Sequence, residues 1–129
     1  MCDFTTGFKP PEMVKKRPVV VLTPAMDGRG KLVTVVCTST AKPDPVREYH
    51  CLLPRSELPM IGFFQESDSW IKGDMIYSVS FERLSAVSIR VAGGQRDYFR
   101  RVLSPERMRE ISACVLHGLA MGALAEHLP

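Results

Sequence analysis

The chain has 129 residues and a mass of 14.4 kDa, which gives room for one ordinary domain. Hydrophobic residues make up 45% and charged residues 24%, too apolar a balance for a disordered tail. Seventeen Lys and Arg against fourteen Asp and Glu leave a formal charge of +3, which permits a polyanionic partner without requiring one. No apolar run approaches the roughly 20 residues that span a bilayer, so an integral membrane protein is excluded. Met1-Cys2-Asp3-Phe4-Thr5-Thr6 lacks the regions of a signal peptide, and a cytoplasmic location is expected. Cys2, Cys37, Cys51 and Cys114 form no CxxC pair and fit neither a zinc ribbon nor a secreted scaffold. They read as buried free thiols in a reducing compartment.

Residues 1–16 read as an N-terminal arm, because Pro10 and Pro11 fix an extended path and remove two donors. Arg17-Pro18-Val19-Val20-Val21-Leu22-Thr23, closed by Pro24, is a β-branched run that predicts a mostly buried strand with Pro18 at its start. Asp27-Gly28-Arg29-Gly30 predicts a turn, and residues 31–40 a second strand completing an antiparallel hairpin. Residues 46–53 partly alternate and read as an exposed strand, and residues 54–69 as a loose stretch. Strand character resumes over 70–79; residues 81–91 read as a short turn followed by a strand. Gly93-Gly94 marks a turn before a last strand at 97–103.

The helix signal is stronger. Ser104 is placed to cap, Pro105 suits the first helical position and Glu106 favours the positive end of the helix dipole. Met108, Ile111, Val115 and Leu119 recur at three- and four-residue steps, giving an apolar stripe within a helical region at 104–125. Gly118 and Gly122 are placed to end or kink it, leaving the last ten residues for a second short helix. The sum is a single domain over 1–129, mainly β with a C-terminal helix, in the form of a small barrel of five to seven strands.

No P-loop, GxGxxG, GxSxG or HExxH motif is present, and no cofactor or metal is expected. Three features carry chemistry. Arg17 precedes a buried strand, and its guanidinium is always charged and forks onto two phosphate oxygens. Thr38-Ser39-Thr40 ends the next strand, and antiparallel pairing sets that end beside Arg17, so a cation and hydroxyls together make a phosphate seat. Lys72-Gly73-Asp74 follows Trp70; a strand's period of two puts Lys72 and Asp74 on one face, a cation for a phosphorane and a carboxylate for proton transfer. Against these stand plainer readings: a solvated charge at Arg17, a turn cap at Thr38–Thr40 and an exposed ion pair at Lys72 and Asp74. His50 sits near Arg47 as a base for neutral pH; with His117 and His127 it shows no metal-like spacing, which favours structural roles.

Together, Arg17-Pro18-Val19-Val20-Val21-Leu22, the strand ending in Thr38-Ser39-Thr40, and Lys72-Gly73-Asp74 resemble the MazF/PemK family of bacterial toxin endoribonucleases, over roughly residues 14–120. The resemblance implies a compact, small SH3-like barrel, the fold shared by those toxins and by gyrase poisons. It also implies a homodimer and cleavage of single-stranded RNA without a metal, with a cognate antitoxin as partner. It assigns Arg17 as the catalytic arginine and Thr40 as the catalytic or substrate-binding threonine, with Thr38 and Ser39 as alternatives under a shifted pairing. Asp74 takes the place of an acid/base aspartate, and Lys72 stands where arginine is usual. Ser39, Thr38 and Trp70 are then RNA-binding residues, and Phe63 is a second stacking surface. The chain departs from the family in its first strand, where it offers Cys2-Asp3-Phe4-Thr5-Thr6-Gly7-Phe8, and in the insertion at 55–69. The departures in the first strand and at Lys72 sustain the alternative of a non-catalytic module that grips a protein target or an antitoxin only, or of a plain nucleic-acid-binding SH3-like module.

Overall fold

A computed structural model describes the chain apart from residues 24–26, 61, 91 and 100 and the side chains of residues 63 and 90. Pro24, expected to close the first strand, lies outside the described residues. The β-branched runs form the expected hairpin, but its first strand is shorter and less buried than its sequence predicts: β1 (Val19–Val21), with Val21 exposed, pairs antiparallel with β2 (Leu32–Ser39), and Gly28 and Gly30 take positive φ in the connecting turn. β2 also pairs with β4 (Ser69–Ser80), which pairs on its other side with β3 (His50–Leu53). The order β1-β2-β4-β3 curls into a half-barrel, and a small hairpin of β5 (Ser88–Arg90) and β6 (Arg96–Tyr98) stands apart from it.

β2 is covered on both faces, which is why its sequence is almost continuously apolar. Val33, Val35 and Cys37 join one core with Cys2, Phe4 and Val79, while Val36 joins a second with Leu53, Leu58, Phe64, Ile71 and Ile111. The segment expected to form an arm instead sends Cys2 and Phe4 into the first core, with Phe8 and Met13 packed against it, while most of its other residues are exposed. Cys2 exchanges backbone bonds with Arg17 (2.7 and 2.9 Å) and Phe4 is fully buried. Phe4, Phe8 and Tyr77 close as an aromatic trio with ring centroids 5.1–5.5 Å apart. Arg83 ties the segment down through the Asp3 and Thr6 carbonyls, 3.0 Å each, and lies over the Phe8 ring.

Three other expectations shift. β3 starts only at His50, because the His50 N–H turns back to the Arg47 carbonyl (2.9 Å) and residues 44–48 are exposed. The loose stretch at 54–69 contains a 3-10 turn (Arg55–Glu57) and a short helix α1 (Gly62–Glu66), which bring Leu58 and Phe64 into the second core. The last strand spans Arg96–Tyr98 rather than 97–103, and Val102 is 93% exposed.

α2 (Pro105–Gly118) begins as its sequence signals, with the Ser104 hydroxyl accepting from the Arg107 N–H at 3.2 Å. It buries Ile111 and Cys114, packs Met108 and Val115 on the second core and leaves Leu119 exposed. It stops short of residue 125: Ala120 takes φ 59°, and a 3-10 segment (Gly122–His127) follows. Among the described residues no helix is long and apolar enough to cross a membrane.

α2 lies against β4 with backbone touching backbone. A Cβ on Gly73 would fall inside the Cys114 carbonyl and 2.8 Å from the Tyr49 oxygen; one on Gly118 would fall inside the Gly73 carbonyl and 2.7 Å from the Asp74 nitrogen. The register of β4 against β2 jumps here, from Val36 opposite Ile76 to Cys37 opposite Lys72, so Gly73, Asp74 and Met75 bulge from the ladder. Gly73→Ala and Gly118→Ala are each expected to lower unfolding free energy by about 1–3 kcal/mol in urea titration, through overpacking. Gly62→Ala, where nothing lies within 4 Å of the new methyl group, should stay within about 0.5 kcal/mol of the parent.

Candidate functional site

Pro18 opens β1 and cannot donate, so its carbonyl is the group that locks the strand's foot. It accepts from both the Thr38 N–H (3.4 Å) and the Thr38 hydroxyl (2.9 Å). The Arg17 backbone is held on its other side by Cys2. These anchors place Arg17, Thr38 and Thr40 together on a cavity of about 260 Å³, with Lys16, Ser69 and Phe64 also in its wall. The Nε of Arg17 is buried and has no hydrogen-bond partner among the described residues. A buried donor without an acceptor costs free energy, so this cation is poised for an anionic oxygen.

The three hydroxyls differ. Thr38 is buried and its proton is committed to Pro18, which leaves it only as an acceptor. Thr40 is exposed at the cavity. The Ser39 oxygen accepts from the Ala41 N–H at 3.2 Å, so it caps the turn, and Ser39 stands opposite Trp70 rather than in the cavity wall. Trp70 is half-buried between Ser39 and Leu52 in the ladder, and the Phe63 side chain lies outside the described residues.

Lys72 and Asp74 form a separate group. Lys72 is opposite both Cys37 and His50, giving a row Val19–Cys37–Lys72–His50 across all four strands. Asp74 is exposed where β4 bulges from β2, and the buried–exposed alternation along β4 runs unbroken from Ser69 to Asp74, so Lys72 and Asp74 share one face of the strand. Both act on His50, whose pKa is held below its ordinary value by burial first and then by Lys72; Asp74 opposes the shift and Arg47 reinforces it. The Arg47 N–H donates to His50 Nδ1 at 3.1 Å, so the neutral ring carries its proton on Nε2, a buried atom with no partner among the described residues. His50 is therefore a donor in this state, not the base its sequence position suggested.

No carboxylate lines the Arg17 cavity among the described residues. Sequence reasoning thus joined one true cluster, Arg17 with Thr38 and Thr40, to a second that sits farther along β4. It missed Lys16 and Ser69 in the cavity wall. The basic run Lys15-Lys16-Arg17 carries a signal for the first, whereas nothing local marks Ser69. No group of three or more His, Cys, Asp or Glu side chains able to hold a metal occurs among the described residues.

Comparison with known proteins identifies the family of the chain. The chain is 28% identical over 113 residues to an uncharacterized protein of Escherichia coli (strain K12), YifN, covering 88% of this chain and 72% of that one. It is 37% identical over 79 residues to an uncharacterized protein of Haemophilus influenzae (strain ATCC 51907 / DSM 11121 / KW20 / Rd), covering 60% of this chain and 54% of that one. Residues 1–119, which hold the buried N-terminal segment, the Arg17 cavity, the bulge and the whole of α2, match the family described as PemK-like, MazF-like toxin of type II toxin-antitoxin system. The chain belongs to that family of type II toxins, and membership implies a cognate antitoxin as its partner.

Proposed function

We propose that the chain is an endoribonuclease toxin that binds single-stranded RNA at the Arg17 cavity and cleaves it without a metal, acting in the cytoplasm as a homodimer. The observation that carries this reading is the buried, unpartnered Nε of Arg17 on a cavity shared with Thr40 and Lys16. A guanidinium with a free N–H, beside an ammonium and an exposed hydroxyl, complements a phosphodiester.

In this reading the ribose 2′-hydroxyl attacks the adjacent phosphorus, forming the new P–O bond as the P–O5′ bond breaks. The products are a 2′,3′-cyclic phosphate and a 5′-hydroxyl end. Arg17 and Lys16 offset the charge that builds on the phosphoryl oxygens, and Thr40 positions the phosphodiester. Asp74 takes the 2′-hydroxyl proton, on the premise that the RNA groove runs from the cavity to the β4 bulge. Lys72, Arg47 and the Nε2–H of His50 then hold a neighbouring phosphate, while Trp70, with Ser39 beside it, supplies a stacking surface for an unpaired base. The absence of a carboxylate in the described cavity wall favours a second reading, a non-catalytic module that binds RNA, a protein target or the antitoxin.

Labelled single-stranded RNA incubated with the protein in EDTA separates the two. Cuts at a short recurrent sequence with cyclic phosphate ends are expected. Arg17→Ala should slow cleavage by about 10²–10³-fold. Arg17→Lys should recover only part of it, since the fork is lost. Thr40→Ala should cost on the order of tenfold, the equivalent of one hydrogen bond. Asp74→Asn should lower the cleavage rate with binding retained; a fully active variant would remove Asp74 from the proton step. Intact RNA with retained binding identifies the binding module, and intact RNA without binding a protein target.

His50 adds a pH dependence. Its folded pKa lies below the ordinary 6.5, so the unfolded chain binds a proton that the folded chain refuses. Stability is fully present above 6.5 and is expected to fall as pH drops from there through the folded value. Protonation of Nδ1 would also break the bond from Arg47. Thermal unfolding between pH 7.5 and about 5 checks this, and His50→Gln should flatten the slope.

A further inference from the structure

The four cysteines fall into two pairs of opposite character. Cys2 and Cys37 are both fully buried in the first core, and burial pushes the Cys37 thiol up to about 12. Cys51 on β3 and Cys114 on α2 face each other across the seam between strand and helix, their thiols hydrogen-bonded. The seam is narrow for a backbone reason independent of the sulfurs. Gly73 has no Cβ, and that empty position is bounded by the Tyr49 carbonyl of the chain entering β3 and the Cys114 carbonyl of α2. Cys51 packs against the second core, which also takes Met108, Ile111 and Val115 of α2, so its side chain is on the helix side of β3.

The pair is also chemically asymmetric. Cys114 donates and Cys51 accepts, which holds the Cys51 thiol below its ordinary value and raises that of Cys114, with burial adding to the rise. The Arg107 guanidinium favours a Cys51 thiolate, and Glu110 opposes it. Cys51 is half-buried, whereas Cys2, Cys37 and Cys114 are buried. Nucleophilicity toward oxidants follows thiolate character and access, so Cys51 is the attacking sulfur and Cys114 the resolving one.

We infer that Cys51 and Cys114 form a hydroperoxide-reactive dithiol site that closes into a disulfide tying β3 to α2. The Cys51 thiolate attacks a peroxide oxygen; the S–O bond forms, the O–O bond breaks and the departing hydroxide takes a proton. The Cys114 sulfur then displaces hydroxide from the Cys51 sulfenic acid. An S–S bond forms as the S–O bond breaks, and the Cys114 proton leaves as water. Two thiols are oxidised by two electrons and one hydrogen peroxide is reduced to two waters. This site is independent of whether the chain cuts RNA.

The test is titration of the folded full chain with hydrogen peroxide, followed by intact-mass measurement and peptide mapping without reductant. The expected result is a loss of about 2 Da, the two thiol hydrogens, mapped to a Cys51–Cys114 linked peptide and reversed by dithiothreitol. Cys114→Ser should abolish the link and leave a Cys51 sulfenic acid that a dimedone reagent captures. Cys51→Ser should leave Cys114 unoxidised at the same peroxide dose. A link mapped to Cys2 and Cys37 would overturn the inference. So would Cys51 oxidised in the parent chain with no bond to Cys114, or all four thiols still alkylatable after unfolding. The mapping on the parent chain decides the matter even where a serine variant fails to fold.

Discussion

The close approach of α2 to the sheet at Gly73 and Gly118 is the constraint on which most of this architecture rests. Two glycines facing each other let a helix backbone touch a strand backbone, an approach that any side chain would hold apart. The contact seats Ile111 on the second core and holds Cys114 against β3. It also coincides with the break in the β2–β4 ladder, which lifts Asp74 to the surface beside His50. Close packing at a single point thereby couples the helix, two strands and one of the two polar clusters.

The other polar cluster is governed by a different requirement, that buried backbone groups be paired. Cys2 satisfies the Arg17 backbone and Thr38 satisfies the Pro18 carbonyl with two bonds, yet the guanidinium Nε between them has no acceptor among the described residues. The main chain is thus fully paired around a side-chain donor that is not, and it is this contrast that supports the proposed RNA site.

What could be read from sequence alone follows the range of the forces involved. The β1–β2 hairpin and the start of α2 were legible because β-branched runs, turn glycines and a Ser-Pro cap act within a few residues of one another. Arg17 met Thr38 and Thr40 because antiparallel pairing of adjacent strands is itself nearly local. The N-terminal segment was misread as an arm because Cys2 is held by Arg17 and Leu84, the latter 82 positions away, and no short pattern encodes such a bridge. Lys72 and Asp74 keep the period of two that pairs them, but neither lines the Arg17 cavity, and Gly73 between them serves a helix packed from outside the sheet, which no short pattern encodes. Residues 54–69 read as loose because polar and proline-rich spacing hides Leu58 and Phe64, whose burial depends on α2.

The double clamp on the Pro18 carbonyl has a further consequence, for the kinetics of ligand capture. With both the amide and the hydroxyl of Thr38 fastened to one oxygen, the main chain beneath Arg17 surrenders its torsional freedom while the protein folds. On the proposed reading, an incoming phosphate meets a foothold that needs no reorganisation, which lowers the entropic penalty of association and lets encounter pass straight to a seated complex.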